Sequence, residues 1–271
     1  MENLNATGNE GGFSAIVGGA TGATGRWIVC DLINNPSCKS VVAVTRSDIS
    51  SPTDTFPSAD PVLLKTKLIV EKEDFAALIQ SGQFSNPLSG SPKVGYCAMG
   101  SAPFSEESDF VAPVAFAKAC KCAGVDSMFL VSAQGAKAGS WIKYNDTLGR
   151  REDAFKALGF RRLGMYRSGI MDRQEKARTK ELIRHILPSF LVISTKDISR
   201  VMVESAIRMK EGTFVFSHSD MKKIATSLYD TCVSRFTSHL NTSPWRILKN
   251  EPLTKPSQQW LPVPPEPPAG G

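Results

Sequence analysis

Short runs of β-branched and small apolar residues recur along the chain at 13–17, 41–45, 67–70, 94–99, 128–132, 165–170 and 213–216. Between several of them the apolar positions fall three and four apart, over 25–34, 109–123, 143–158 and 198–210, and from Asp220 to about Phe236. Runs of the first kind are what strands buried on both faces require, and stretches of the second kind are amphipathic helices. Their alternation predicts stacked β-α-β units around a parallel sheet. Local punctuation agrees. Asn34-Asn35-Pro36 stops the first helix, Gly124 ends another, and Asp197 and Asp220 are expected to cap the last two. The stripe Ile198, Val201, Met202 and Ala206 is expected to be core.

Beyond Phe236 the pattern breaks. Residues 237–271 hold eight prolines, with Trp245 and Trp260 among them. Such proline density excludes helix and central strand and predicts an extended tail. The chain therefore divides into an N-terminal extension (1–12), one nucleotide-binding domain (13–236) and a Pro-rich C-terminal extension (237–271). The expected fold class is α/β, a doubly wound parallel sheet in a single domain.

Composition narrows the function classes. Of 271 residues, 41% are hydrophobic and 21% charged, an ordinary globular balance. No apolar run approaches the roughly 18 residues that a membrane span needs. The opening Met1-Glu2-Asn3-Leu4-Asn5 has no basic or apolar block, so neither a secretory signal nor a transit peptide is expected. The expectation is an intracellular, soluble, cytoplasmic protein, with mitochondria reached without a recognisable presequence as the alternative. Six cysteines without framework spacing read as reduced thiols, and three scattered histidines give a metal site no support.

The net charge of +6 is concentrated. Eleven bases and five acids lie between Leu148 and Arg184, so that segment alone carries the excess. A solvated helical face is the plain expectation; a docking surface for an acidic partner or RNA over Arg150 to Arg184 is the sharper one. The loop Ser105-Glu106-Glu107-Ser108-Asp109 is expected to be solvated and to cap a helix.

The most specific chemistry sits between the first strand and the first helix. Gly19-Ala20-Thr21-Gly22-Ala23-Thr24-Gly25 leads directly into Arg26-Trp27-Ile28-Val29. Glycines at this spacing give a tight turn, close approach of backbone to a pyrophosphate, and close packing of helix on strand. The helix N-terminus then supplies free N–H groups and a favourable dipole. This is the Rossmann-type dinucleotide fingerprint in its proper context. At the end of the second strand, an acid would bind the ribose hydroxyls of NAD, whereas an arginine meets the 2′-phosphate of NADP. Here Arg46 and Ser47 stand at that edge, and NADP(H) is the expected cofactor. Arg26 is expected to assist from the helix start.

These residues resemble the atypical short-chain dehydrogenase/reductases, and most closely the Tat-interacting branch of that family. The likeness rests on the spacing Gly-x-x-Gly-x-x-Gly-Arg. It rests also on Val94 to Gly100, on Leu130 to Ala136, on Tyr144 followed by Gly149, on Arg167-Ser168-Gly169-Ile170 with Asp172-Arg173-Gln174-Glu175, and on Ile193 to Met202. It spans about Phe13 to Ala225.

The resemblance implies a proton-relay set of serine, tyrosine and lysine. The tyrosine exchanges a proton with a substrate carbonyl, a lysine four residues on lowers its pKa, and the serine polarises the carbonyl. Tyr144 matches the tyrosine. Leu148 occupies the lysine position, and Ser132-Ala133 replaces the usual pair of serines, so that Ala133 falls where the catalytic serine belongs. Ser168 replaces a customary proline. The resemblance further implies that Met99, Gly100 and Ser101 follow the cofactor, with Ser132, Tyr144 and Gly169 bordering the nicotinamide end.

Two functions are thus expected. One is a cofactor-binding interaction or assembly subunit, docking through the Pro-rich tail. The other is an NADP-dependent carbonyl reductase using Tyr144.

Overall fold

In the computed structural model, β1 (Phe13–Gly18) and β2 (Cys38–Thr45) lie within the sheet, with Ala15, Ile16, Val17, Val41, Val42 and Ala43 shut off from solvent. The structure describes residues 12–101, 103–172 and 191–237. The expected N-terminal extension, nearly all of the Pro-rich tail, and the bases from Arg173 to Arg184 fall outside them.

Around this pair lie β3 (Leu68–Lys72), β4 (Val94–Cys97), β5 (Ser127–Ala133), β6 (Arg162–Ser168) and β9 (Gly212–Phe216). The seven form one sheet in the order β3-β2-β1-β4-β5-β6-β9. Every neighbouring pair is parallel; Val17, for example, stands opposite Ala43 on one side and Tyr96 on the other. The chain winds outward from β1 to β3, then returns to β4 and winds the other way. A switch point therefore opens between β1 and β4, where such sheets bind ligands at their carboxyl edge. The expected α/β doubly wound fold is the one observed.

Helices cover both faces. On one, α1 (Gly25–Asn34), α3 (Pro61–Lys67), α7 (Thr195–Arg208) and α8 (His218–Thr237) close a core that includes Trp27, Ile28, Ile198, Val201, Met202 and Ile224. On the other, α4 (Phe75–Ser81), α5 (Ala112–Cys122) and α6 (Lys143–Ala157) pack Leu78, Phe116 and Phe155 on the sheet. A short α2 (Pro52–Thr55) follows β2. The stripe on α7 is core, as its spacing indicates.

Several boundaries differ from expectation, each for a physical reason. Asp197 does not cap α7; Ser194 does, accepting from the Asp197 N–H at 3.0 Å while its hydroxyl donates to the Asp197 carboxylate at 2.8 Å. The acid is thus the far member of a capping box. Asp220 plays the same part for Ser217, whose hydroxyl donates to its carboxylate at 2.6 Å. The run 165–170 is not one strand: β6 ends at Ser168, and β7 (Ile170–Asp172) pairs with β8 (Val192–Ser194) as a separate two-stranded sheet. Nor does the helix after β4 begin at Asp109 as a plain α-helix, since a π-helical turn over Glu107–Val111 precedes α5.

The expected solvated loop 105–109 is also corrected. Asp109 is buried, accepting hydrogen bonds from the Ser101 N–H and hydroxyl (3.3 and 2.7 Å) and from the Ser105 N–H (3.1 Å). It closes the loop that follows β4 instead of facing water. Cys30, Cys38, Cys97 and Cys120 are free, buried thiols, and burial pushes Cys30 and Cys38 up to about 11. Cys120 faces inward and Cys122 outward, so the pair is apart.

Candidate functional site

The glycine turn has no room for a side chain at Gly19 or Gly25. Gly19 adopts φ +75°, and a Cβ there would fall 2.7 Å from the Ala98 carbonyl oxygen on the neighbouring connection. At Gly25 a Cβ would fall 2.0 Å from the Gly19 carbonyl oxygen. The Gly22 N–H donates to Gly19 O at 3.0 Å, which folds the turn back on itself at the head of α1. Thr24 precedes α1 without a side-chain cap, and the N–H groups of Arg26, Trp27 and Ile28 donate to the carbonyls of Gly22 and Thr24 at 3.0–3.2 Å, so the tip of the turn itself, and not the first turn of α1, is what a phosphate would meet. A cradle this tight, at the carboxyl edge of β1 and beside the switch point, fits the pyrophosphate of a dinucleotide.

Beside it lies a cavity of about 130 Å³ lined by Gly22, Ala23, Thr24, Met99, Gly100, Ser101, Ser132 and Tyr144, together with Leu148 and Arg151. Eight of the residues expected from sequence therefore meet in one place. A larger open cleft of about 600 Å³ lies at the end of β2 and β3 and is lined by Arg46, Lys72, Glu73, Asp74 and Phe75. Arg46 is exposed. Glu73 and Asp74 are committed elsewhere, the first to Ser85 at 2.6 Å and the second to the N–H groups that open α4. Lys72 was not expected here and sits 3.0 Å from Asp48.

The remaining expected residues lie outside both cavities. Gly19, Thr21 and Gly25 shape the turn from behind, and Ser47 is exposed beyond Arg46. Arg26 lies with its guanidinium 5.4 Å from the Trp27 ring centre. Gly169 donates its N–H to Nδ1 of His218 at 3.1 Å, which ties the end of β6 to the start of α8.

At the corner expected to be catalytic, Tyr144 is 39% exposed and meets Phe104 edge to face, with ring centres 5.6 Å apart. Leu148 is buried, a hydrocarbon in the place of the lysine. Gly149 lets α6 press on the preceding loop, since a Cβ would fall 2.0 Å from the Ala138 nitrogen. The Ser132 hydroxyl does not point at an empty site: it donates to buried Glu152 at 2.6 Å. Arg167 grips the same carboxylate through two bonds, at 3.0 and 2.5 Å. With its proton spent on Glu152, Ser132 offers the cavity a lone pair, not a donor. Asp146, two residues beyond Tyr144, is held by the Gly139 N–H at 2.7 Å and by Arg150 at 3.6 Å.

Sequence reasoning missed Glu152, Arg167, Asp109 and Arg151 as site residues. It counted the arginines only as part of a basic segment. In the described half of that segment Arg150 pairs with Glu106 and Asp146, Lys156 with Asp153, Arg161 with Asp126 and Glu211, and Arg167 with Glu152. Arg162 donates to Ser127 and the Ala206 carbonyl, and Arg151 is buried. Most of that charge is used inside the molecule.

No family model matches the chain. Among solved structures, the fold is similar to UDP-glucuronic acid 4-epimerase from Bacillus cereus in complex with NAD, with a TM-score of 0.53, 16% identity and 75% of this chain and 77% of that one covered. It is similar also to the Bordetella bronchiseptica enzyme WbmH in complex with NAD+, with a TM-score of 0.52, 15% identity and 86% and 84% covered. Likeness at this level shows a shared Rossmann-type fold. In sequence, the protein fmp52, mitochondrial, of Aspergillus fumigatus is 29% identical over 177 residues, covering 62% of this chain and 71% of that one. The fmp52 protein of Emericella nidulans, also named mitochondrial, is 30% identical over 175 residues, covering 61% of this chain and 70% of that one. With its fold, its glycine cradle and this span of identity, the chain belongs to the family of the fungal fmp52 proteins.

Proposed function

We propose that this protein is an NADP(H)-binding member of the atypical short-chain dehydrogenase/reductases, of the Tat-interacting type, whose dehydrogenase corner has been rebuilt. The observation that carries the reading is the pairing of a turn closed to any Cβ at Gly19 and Gly25 with exposed Arg46 in the cleft at the next strand end. The turn binds a pyrophosphate, and Arg46 selects the 2′-phosphate through a charge-assisted pair. Mitochondrial residence follows from the names of the fungal relatives and replaces the cytoplasmic expectation. Among the described residues no helix is long and apolar enough to cross a membrane.

Isothermal titration with NADPH and NADH tests the reading. NADPH is expected to bind at least about tenfold more tightly, because such a pair is worth roughly 1.5–3 kcal/mol and 1.4 kcal/mol is tenfold. Absence of NADPH binding would sink it.

A role as a cofactor-binding subunit of a larger complex rests on composition: the prolines and tryptophans of 237–271, with Trp245 and Trp260 as anchors. The described bases of the surface from Arg150 to Arg184 are largely paired within the fold, which weakens the case for an acidic partner or RNA there and leaves a protein partner on the tail as the stronger reading.

A second reading, an NADP-dependent carbonyl reductase, is favoured by one observation. Tyr144 and Ser132 share the cavity beside the cradle. A bound nicotinamide cofactor supplies a hydride there. Tyr144 would hold the proton for a carbonyl oxygen, while Ser132, donating to Glu152, would accept from a substrate hydroxyl or from water.

A further inference from the structure

On a helix, residues four and seven beyond a given position return to within about 40° of it. The face of α6 that carries Tyr144 therefore continues through Leu148 to Arg151, and all three line the same 130 Å³ cavity. Leu148 brings no charge. The cation on this face stands one turn further, and Arg151 is only 2% exposed.

Its guanidinium is fixed. Nη1 donates to the carbonyl oxygens of Met99 (3.3 Å) and Asp109 (3.1 Å), and Nη2 to that of Val131 (2.8 Å). These three ties span the exit of β4, the π-helical turn and β5. Nε has no hydrogen-bond partner among the described residues. Burying a guanidinium against carbonyls is costly, and the carboxylates of Asp109 and Glu152 offset its charge through space.

The charged groups around it are otherwise engaged. Glu152 is bound by Arg167 of β6 and by Ser132, and Asp146 by Arg150 and the Gly139 N–H. Asp109 turns its carboxylate onto Ser101 and Ser105, and the Cys97 thiol of β4 is held neutral by burial. Asp172 follows the lining residue Met171 at the rim.

We propose that Arg151 is the positioning cation of this site, doing for Tyr144 from seven residues away what the resembling family does with a lysine at four. The inference rests on the reading of this cavity as the nicotinamide end of a cofactor site. Burial lowers the Arg151 pKa, and the negative forms of Cys97, Asp109, Tyr144 and Glu152 oppose it in that order, so Tyr144 is one of the groups coupled to the guanidinium. By reciprocity the guanidinium favours the phenolate. The spacing of seven hid this group from a search for a lysine at four.

The test uses the full chain, labelled at the tyrosine ring carbon that bears the hydroxyl and titrated by NMR without cofactor. The Tyr144 signal is identified by its loss in Tyr144→Phe. In the wild type it is expected to lose its proton below the free value of about 10. Arg151→Met should raise the midpoint by one pH unit or more, and Arg151→Lys, keeping the charge, should recover at least half of that change. A wild-type midpoint at or above about 10 overturns the proposal without any variant, which matters if Arg151→Met does not fold. An unchanged midpoint in a folded Arg151→Met protein overturns it equally. A parallel NADPH titration keeps the two readings apart. If NADPH fails to bind while the phenol shifts as expected, the cofactor assignment falls and the Arg151–Tyr144 coupling stands.

Discussion

The β1–α1 turn and the β5–α6 corner lie on the same edge of the same sheet, yet their relation to sequence is opposite. At the turn every requirement is local. The glycines at 19, 22 and 25 serve backbone contacts within a few residues of themselves or with the adjacent connection at Ala98. At the corner the groups that matter reach across the fold: Ser132 to Glu152, Glu152 to Arg167, and Arg151 to the carbonyls of Met99, Asp109 and Val131. A site built from contiguous residues announces itself by spacing, whereas one built from three strands and a helix does not. The turn keeps the family pattern in full. Against the pattern that the sequence resembles, the proposed corner has Tyr144 in place, Leu148 and Ala133 where a lysine and a serine would stand, and a buried arginine on the same helical face.

The largest expected effect comes from breaking the intact half. In Gly25→Val a side chain must occupy space 2.0 Å from the Gly19 carbonyl oxygen. Overpacking of this kind costs roughly 1–3 kcal/mol, and the turn must open to relieve it. NADPH binding by titration calorimetry should fall below detection, while circular dichroism still reports a folded α/β protein. Tight binding by this variant would show that the turn is not the cradle.

Repairing the altered half should have the next largest effect. The wild type is expected to turn over carbonyl substrates with NADPH slowly or not at all, since losing an assisted proton donor removes about 10²–10⁴ of rate. Ala133→Ser with Leu148→Lys should raise whatever turnover remains. The single variants sharpen this. If Arg151 already supplies the charge, Ala133→Ser alone should give most of the gain, and Leu148→Lys alone should give little, because it buries a second cation beside the first. Robust wild-type reduction that disappears in Tyr144→Phe would instead make the corner a complete site and erase the contrast.

A smaller, more selective effect belongs to the cleft at Arg46. Arg46→Ala should weaken NADPH by about tenfold and leave NADH nearly unchanged, the signature of a lost charge-assisted phosphate contact. Equal losses for both cofactors would mean that Arg46 supports the cleft without reading the 2′-phosphate.

Legibility followed the same division. The glycine turn, the strand-end arginine, the order of most strands and the core stripe of α7 were visible because each is a short-range pattern. The caps were half visible: Ser194-x-x-Asp197 and Ser217-x-x-Asp220 are readable as boxes, but the acid was mistaken for the cap when it is the residue reaching back. The pairing of β7 with β8 was invisible, since Ile170–Asp172 finds its partner some twenty residues away through a contact that no periodicity encodes. Asp109 looked like one acid in a solvated run until its bonds to Ser101 and Ser105 turned it inward. Arg151 was hidden by its company, as one base among eleven. Burial separates it from the rest, and burial is a property of the fold.

The smallest effect concerns the helix that both halves depend on. Asp31 lies on α1 behind the cradle, half-buried, and its carboxylate accepts from the Ser199 hydroxyl of α7 at 2.5 Å. Burial raises its pKa to about 6, against the lowering effects of Ser199, Arg200 and Lys196. An acid whose folded pKa lies above its unfolded value of about 3.9 binds its proton more tightly when folded. Folding is therefore favoured most below the unfolded value, and that contribution is lost as pH rises through the window from about 4 to about 6. Asp31→Asn keeps a side chain that can accept from Ser199 and removes the charge. It should raise the melting temperature at pH 7.5 by a few degrees, about 1 kcal/mol, and change it little at pH 4. NADPH affinity should be untouched, because Asp31 supports α1 from behind and does not face the turn. A variant that is equally stabilised at both pH values would show that the gain came from packing and not from the buried charge.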